Sequence, residues 1–151
     1  MRKILLKFLT IELIETSPVD IEHALQVATA VLLVEVTRAD FIVDASEKLK
    51  LRELLERQFD LSEQELEALL EAAELDADRM VSLQHVTRLL NEHYDHAMKV
   101  RVVEMMWQLV YADGEKDHYE EHLIRQVADL LYLSHGEFIQ ARHKAEVGID
   151  R

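Results

Sequence analysis

The stretch VYADGEKDHYEEHLI, residues 110–124, decides how this chain is divided, because it ends one helix and begins the next. Gly114 favours the left-handed backbone conformation that stops a helix at its C-terminus. Asp117, followed three residues later by Glu120, has the spacing of a capping box, in which two side chains bond the free N–H groups of a helix start. The stretch therefore predicts two helices joined by a short acidic loop.

The same signals occur 73 residues earlier in the chain. Ala39-Asp40 matches Ala112-Asp113, Asp44 matches Asp117, Glu47 matches Glu120 and, after a one-residue deletion, Leu61-Ser62 matches Leu133-Ser134. Each copy contains a long apolar helix ending in Ala-Asp, an acidic loop, a capped amphipathic helix and a Leu-Ser start to another helix. We therefore expect two related helical units whose long helices, 18–39 and 95–113, pair about a pseudo-twofold axis.

Capping boxes that start at Ser17, Asp44, Ser62, Asp117 and Ser134, together with hydrophobic periodicity, predict an all-α fold of seven to eight helices. The expected helices are 3–15, 18–39, 44–59, 62–76, 82–93, 95–113, 117–132 and 134–146. Only three Gly and one Pro occur in 151 residues, and no linker divides the chain, so we expect a single domain over residues 1–151. It comprises an N-terminal amphipathic helix (1–15), a first unit (18–76) and a second unit (82–146), with Met105, Met106 and Trp107 in the core.

Composition excludes several classes of protein. The formal net charge of −13 would repel phosphate backbones, so we expect no nucleic-acid partner. The absence of cysteine excludes disulfides and thiolate metal sites and suits the cytoplasm. The N-terminus, MRKILLKFLTIELIE, lacks a signal-peptide cleavage site, and the apolar stretch from Ala24 to Val36 is too short for a transmembrane segment.

The acidic loops are the candidate site. Carboxylate oxygens are the ligands of Ca²⁺ and Mg²⁺, and these cations are expected in preference to Zn²⁺. The loop starting at Asp113 is not an EF-hand, because His118 and Ile124 stand where that motif needs Gly and a bidentate Glu. The alternative is a solvated acidic surface whose members only cap helices and aid solubility. The predicted metal ligands are Asp40, Asp44, Asp113, Glu115 and Asp117.

The segment HYEEH, residues 118–122, matches the H-x-x-E-H pattern of one group of zinc peptidases. Helical spacing places His118 and His122 on one face, where a transition metal could bridge them. The alternative is a pair of exposed histidines, which the absence of a third ligand in the pattern favours. No P-loop, G-x-S-x-G or G-x-G-x-x-G motif occurs, so we expect a protein that is not an enzyme.

Residues 105–142, MMWQLVYADGEKDHYEEHLIRQVADLLYLSHGEFIQAR, resemble the signature half of TerB-like proteins, a bacterial family named for tellurite resistance. The shared features are the Tyr-Ala-Asp-Gly-Glu loop, the helix through HLIRQVADLL and the LSHGEF entry to the last helix. RADFIVDASE resembles the family's first loop, although Phe41 stands where the second loop has Gly114. The resemblance covers about residues 20–146.

The resemblance implies an all-helical, non-enzymatic module of bacterial stress responses. It also implies metal binding through the acidic residues of both loops and protein partners in complexes near the inner membrane. The expected location is the cytoplasm, with peripheral association at that membrane. The sequence is compatible with a homo-oligomer.

Besides a zinc-dependent hydrolase that uses His118 and His122, which is the remote alternative, two functional hypotheses follow. In the first, the acidic loops bind a divalent cation and regulate assembly of a complex. In the second, the protein is a metal-independent interaction scaffold, and its N-terminal segment, with Leu5, Leu6, Phe8, Leu9 and Leu13, either docks on a partner or membrane surface or covers the protein's own core.

Overall fold

The structure, a computed structural model, describes residues 18–39, 45–79, 82–113 and 118–149. In these ranges the chain forms seven α-helices and one short 3-10 helix, and no strand, which confirms the predicted all-α class. The helices are α1 (Pro18–Ala39), α2 (Ala45–Phe59), α3 (Glu63–Asp78), α4 (Leu83–His93), α5 (His96–Val110), the 3-10 helix (Tyr111–Asp113), α6 (His118–Leu130) and α7 (His135–Ile149). The predicted helix 3–15 lies outside the described residues.

Helices α1 and α5, the two central helices, lie inside the bundle because most of their side chains are hydrophobic. In α1 nearly every apolar residue from Ala24 to Val36 is buried, and α5 buries Met105, Met106 and Trp107 as predicted. A helix that is apolar on all sides is stable only when neighbours surround it. Accordingly, α1 contacts α2, α3, α4, α5 and α6.

Contacts between helices repeat in the two halves of the chain. Helix α1 packs on α3 as α5 packs on α7, α1 contacts α5, and each central helix contacts both α2 and α6. This pattern agrees with the predicted pairing of the long helices. The assignment of residues 1–151 to a single domain stays a prediction, since it includes segments outside the described residues.

Two predicted capping boxes are confirmed by their hydrogen bonds. The Glu65 N–H donates to Ser62 Oγ at 3.2 Å, and the Ser62 N–H donates to Glu65 Oε1 at 2.9 Å. Ser134 and Glu137 repeat this arrangement at 3.1 and 2.8 Å. The boxes predicted to start at Ser17, Asp44 and Asp117 include residues outside the described ranges.

Replacing either capping serine with alanine should cost about 1 kcal/mol of unfolding free energy, because one helical N–H loses its acceptor. We expect Ser62→Ala and Ser134→Ala to have similar effects, measured by urea denaturation. Glycine at either position should cost only a few tenths of a kcal/mol. Equal losses for alanine and glycine would contradict the capping role.

Several predicted helix ends are displaced by one to three residues. The helix predicted over 117–132 ends at Leu130, because Tyr132 has a φ of 62° and the Leu133 N–H bonds the carbonyl of Ala128. This 6→1 bond closes a Schellman-type turn without glycine. Asp60, with a φ of 52°, makes the equivalent turn after α2. The last turn of the helix predicted over 95–113 is 3-10, and α3 and α7 run two and three residues beyond their predicted ends.

Within the described residues, no helix has the length and apolar character that a membrane crossing requires.

Candidate functional site

Most of the predicted metal ligands lie outside the described residues. These are Asp40, Asp44, Glu115 and Asp117. Asp113 ends the 3-10 helix, but its side chain is not among those described. The predicted metal site therefore stays a prediction. Elsewhere in the described ranges, no three His, Asp or Glu side chains are grouped so that they could hold a metal ion.

The described flanks of the acidic loops lie next to each other in a crossed arrangement. Arg38 and Ala39, at the end of α1, line a surface pocket of ≈ 250 Å³ with His122 and Leu123 of α6. Helix α6 follows the second loop. The chain therefore enters the first loop beside α6, the helix that follows the second loop.

The converse contact occurs at the other flank. Tyr111 and Ala112, at the entry to the second loop, line a pocket of ≈ 460 Å³ with Ser46 and Leu49 of α2, which follows the first loop. The 73-residue offset relates the two pockets, since Ala39 matches Ala112 and His122 matches Leu49. Both loops are therefore attached at the same end of the helical bundle.

Two glutamates directly behind the loops are buried. Glu47 in α2 and Glu120 in α6 are each 1% exposed. They are equivalent under the 73-residue offset, and the sequence assigned them only to capping boxes. Burying a carboxylate costs several kcal/mol unless its surroundings compensate for lost hydration. Glu47 follows Asp40 at the same sequence spacing as Glu120 follows Asp113, and this repeated spacing was the signal that could have indicated a shared role.

Charge at the end of α1 is organised around Arg38. Its guanidinium forms ion pairs with Glu74 and, at 2.8 Å, with Asp78, both on α3. Glu35 lines the same pocket, and partial burial raises its pKa above the ordinary value, while Arg38 acts in the opposite direction. The entry to the first loop is thus fixed to α3 by ion pairs.

The entry to the second loop is fixed by a different set of contacts. The Tyr111 hydroxyl donates to Glu146 Oε1 at 2.6 Å and accepts from Arg142 Nε at 3.0 Å. Burial raises the pKa of Tyr111, and the hydrogen bond to Glu146 adds to this shift. The 3-10 helix is therefore tied to α7.

The proposed zinc pair is only partly described. His122 is exposed and lines the pocket at the end of α1, whereas the side chain of His118 lies outside the described residues. The H-x-x-E-H hypothesis stays a prediction.

A further buried carboxylate lies on the core-facing side of α3, near the C-terminal end of that helix. Asp76 is 1% exposed, and its Oδ2 has no hydrogen-bond partner in the described part of the chain. Burial raises the pKa of Asp76 to about 6, and Arg79 only partly opposes this shift. The apolar spacing of Leu66, Leu69 and Ala73 extends to position 76, so the pattern of α3 could have indicated this burial.

Much of the chain matches a known protein family. A family model described as "Tellurite resistance protein TerB" matches residues 26–143, which is more than half of the chain. No curated protein and no solved structure matches. The matched region contains both loops and all of helices α2 to α6, and it agrees with the resemblance recognised in the sequence. The chain belongs to the TerB family.

Proposed function

We propose that this TerB family member is a non-enzymatic module whose two acidic loops together bind one divalent cation and thereby regulate assembly with protein partners. The observation that carries this proposal is the crossed packing of the loop flanks, in which Ala39 lies beside α6 and Ala112 lies beside α2. Ligands 73 residues apart in sequence are thereby attached to neighbouring parts of the structure.

The chemistry of the loops suits a hard cation. Carboxylates concentrated in a small space repel one another, and a bound cation removes that repulsion. Ca²⁺ and Mg²⁺ accept several carboxylate ligands, whereas structural Zn²⁺ sites use mostly Cys and His. The ligands would be Asp40 and Asp44 from the first loop and Asp113, Glu115 and Asp117 from the second.

Cation binding would act on the bundle through the helices that follow the loops. Helices α2 and α6 begin directly after the loops and carry the buried Glu47 and Glu120 in their first turns. A cation that joined the loops would hold these two helix starts together and fix the surface presented to a partner. The expected setting, a cytoplasmic stress-response complex with peripheral contact at the inner membrane, belongs to this proposal.

Thermal unfolding of chelator-treated protein, purified without a His tag, tests cation binding. At ten times the dissociation constant, a cation that binds only the folded state adds about 1.4 kcal/mol of unfolding free energy. We expect Ca²⁺ or Mg²⁺ to raise the melting temperature of the wild type and to have much less effect on Asp113→Asn.

Asp129→Asn is the matched control, because it removes the same charge from an exposed site at the far end of α6. This variant should respond to the cation as the wild type does. A melting temperature that ignores both cations in the wild type would refute cation binding. Equal responses in all three proteins would place binding elsewhere.

The metal-independent scaffold is the second candidate, and one observation favours it. Leu49 is 68% exposed and lines the pocket beside the second loop. Apolar surface exposed at a concave site is a feature of protein interaction sites, and Leu49 contributes to such surface here. If a partner binds equally well with chelator and with Ca²⁺, and Leu49→Ser abolishes that binding, the scaffold hypothesis holds.

The zinc hydrolase remains the third candidate, and it has its own test. A stabilising response to Zn²⁺ that His118→Ala abolishes and Asp113→Asn preserves would support a zinc site at His118 and His122. We expect no such response.

A further inference from the structure

A surface groove of ≈ 680 Å³ lies between the second central helix and the last helix, and we call it the α5–α7 groove. Its lining includes the buried Ala141 and Ala145 and also Val147, which is 44% exposed. Gln108, Ala145 and Gly148 also line the pocket beside the second loop. The two depressions therefore form one elongated surface along α5.

The charged side chains of the groove carry an excess of positive charge. Glu104 is 7% exposed and forms ion pairs with Arg101 at 3.3 Å and with Lys144 at 3.4 Å. Besides His143, these three are the charged or titratable residues among those that line the groove. Two cations and one carboxylate leave one positive charge uncompensated. A segment that covered this cluster without supplying a negative charge would bury an unpaired cation, which is strongly unfavourable.

The equivalent surface in the first copy of the repeat has a different chemistry. Arg101 corresponds to Ala28 at the 73-residue offset, and Glu104 corresponds to Val31. Both apolar residues are buried in α1, which has α4 as an additional neighbour. Among the described helices, none takes the place of α4 beside α5. The second copy therefore has a helix-sized surface at which charges replace apolar side chains, and this favours a charged helix as its occupant.

Gln108 adds a hydrogen-bond acceptor to the same surface. Its Oε1 is buried and has no hydrogen-bond partner in the described part of the chain. A buried acceptor without a donor is unfavourable, so an N–H group of a bound molecule would stabilise the complex here. The first turn of a helix has unpaired N–H groups, and acidic residues are favoured in that turn because of the helix dipole.

We propose that the α5–α7 groove binds an amphipathic helix of a partner protein through the acidic first turn of that helix. Carboxylates of the turn would pair with Arg101 and Lys144, and a free N–H group would donate to Gln108 Oε1. Gln108 follows Glu104 by four residues, about one turn of α5, so a single turn of the partner can reach both contacts. Apolar side chains of the partner would pack on Val147.

Fluorescence anisotropy of a labelled peptide, measured with the full chain in buffer containing chelator, tests this proposal independently of cation binding. The probe is as long as α4, which has 11 residues, and a side-chain staple holds it in a helix. It has glutamates in its first turn and leucines along one face. A second peptide has glutamine in place of each glutamate.

We expect the glutamate peptide to bind at least about tenfold more tightly than the glutamine peptide, because its carboxylates compensate the excess positive charge. The formal net charge of −13 opposes this preference, so the preference must come from the groove itself. Equal affinities would overturn the proposal, and so would a failure of the glutamate peptide to bind.

Lys144→Glu tests the assignment of the charge. The Lys144 side chain is 73% exposed, so the variant should fold, and it turns the excess positive charge of the cluster into an excess negative charge. We expect it to lose the preference for the glutamate peptide. Arg88→Glu is the matched control, because it makes the same change at an exposed position of α4, outside the groove, and it should keep the preference. The same preference in both variants would contradict the proposal.

Gly148→Phe tests the position of the peptide. A Cβ atom at Gly148 would meet no atom within 4 Å, so the new side chain would fill groove space without displacing protein atoms. We expect an unchanged melting temperature and an affinity for the glutamate peptide that is at least about tenfold lower. Gly136→Phe, near the start of α7 and outside the groove, is the matched control and should bind as the wild type does.

Two results with Gly148→Phe would overturn the proposal. A clearly lower melting temperature would show that the chain itself fills the groove. Unchanged affinity for the glutamate peptide would show that the peptide binds elsewhere.

Discussion

Replacing Trp107 with alanine is expected to lower the free energy of unfolding by about 3–5 kcal/mol, a large part of the stability of a domain of this size. Trp107 is fully buried in α5, with its ring centroid 5.5 Å from that of Phe138 and 6.0 Å from that of Tyr111. The Arg142 guanidinium lies 5.2 Å from the same centroid. Truncation would remove these contacts and leave a cavity. Urea denaturation measures the loss.

Two further variants separate packing from polar effects. Trp107→Phe keeps most of the ring volume and removes the indole N–H, which has no hydrogen-bond partner in the described part of the chain. Since an unpaired buried donor costs about 1–3 kcal/mol, Trp107→Phe should be far less harmful than Trp107→Ala. Val34→Ala, at the equivalent position of α1, should cost less than Trp107→Ala. Similar losses for Trp107→Phe and Trp107→Ala would contradict a packing role.

The same substitution tests the link between the core and the second acidic loop. Tyr111 stacks on Trp107 and begins the 3-10 helix that leads into the loop. In Trp107→Ala, the amides of Tyr111 and Ala112 should therefore exchange hydrogen faster than those of the first loop's flank at Arg38. Hydrogen exchange measured by mass spectrometry distinguishes the two flanks.

Local chemistry explains which parts of the fold were predictable. The boxes at Ser62 and Ser134 depend on residues three positions apart, so the sequence alone identifies them. The repeat likewise predicted that the two long helices would pair. The end of α6 was not predictable from turn chemistry, because Tyr132 adopts a left-handed conformation that sequence signals associate with glycine.

The candidate site was predictable to a smaller extent. Acidic residues in two related loops could be recognised from their spacing, but the crossed placement of the loop flanks depends on the packing of α2 and α6 against both central helices. Sequence reasoning also treated Glu47 and Glu120 as ordinary capping residues, because capping boxes usually lie at the surface. Their burial arises from tertiary packing and has no local signal.

Asp76→Asn is expected to stabilise the protein at neutral pH, by up to about 3 kcal/mol above pH 7, although most substitutions of buried residues destabilise. Burial raises the pKa of Asp76 from its ordinary value of 3.8 to about 6 in the folded protein. The folded state therefore binds the proton more tightly than the unfolded state does. In the wild type, the contribution of Asp76 to stability is most favourable below about pH 4 and becomes unfavourable as the pH rises through 6.

The pH dependence is the decisive measurement, because the amide of Asp76→Asn also changes the unfolding free energy by an amount that does not vary with pH. Unfolding free energies of the wild type and Asp76→Asn, measured from pH 4 to pH 8, should diverge between about pH 4 and pH 6 and differ by a constant amount at higher pH, with the variant the more stable of the two. Asp78→Asn controls for the change in net charge; it removes an exposed partner of Arg38 and should cost up to about 1 kcal/mol. A difference between wild type and Asp76→Asn that is the same at every pH would show that the Asp76 carboxyl has the same pKa in the folded and unfolded protein. Neighbouring groups, and not a bound proton, would then compensate for its burial.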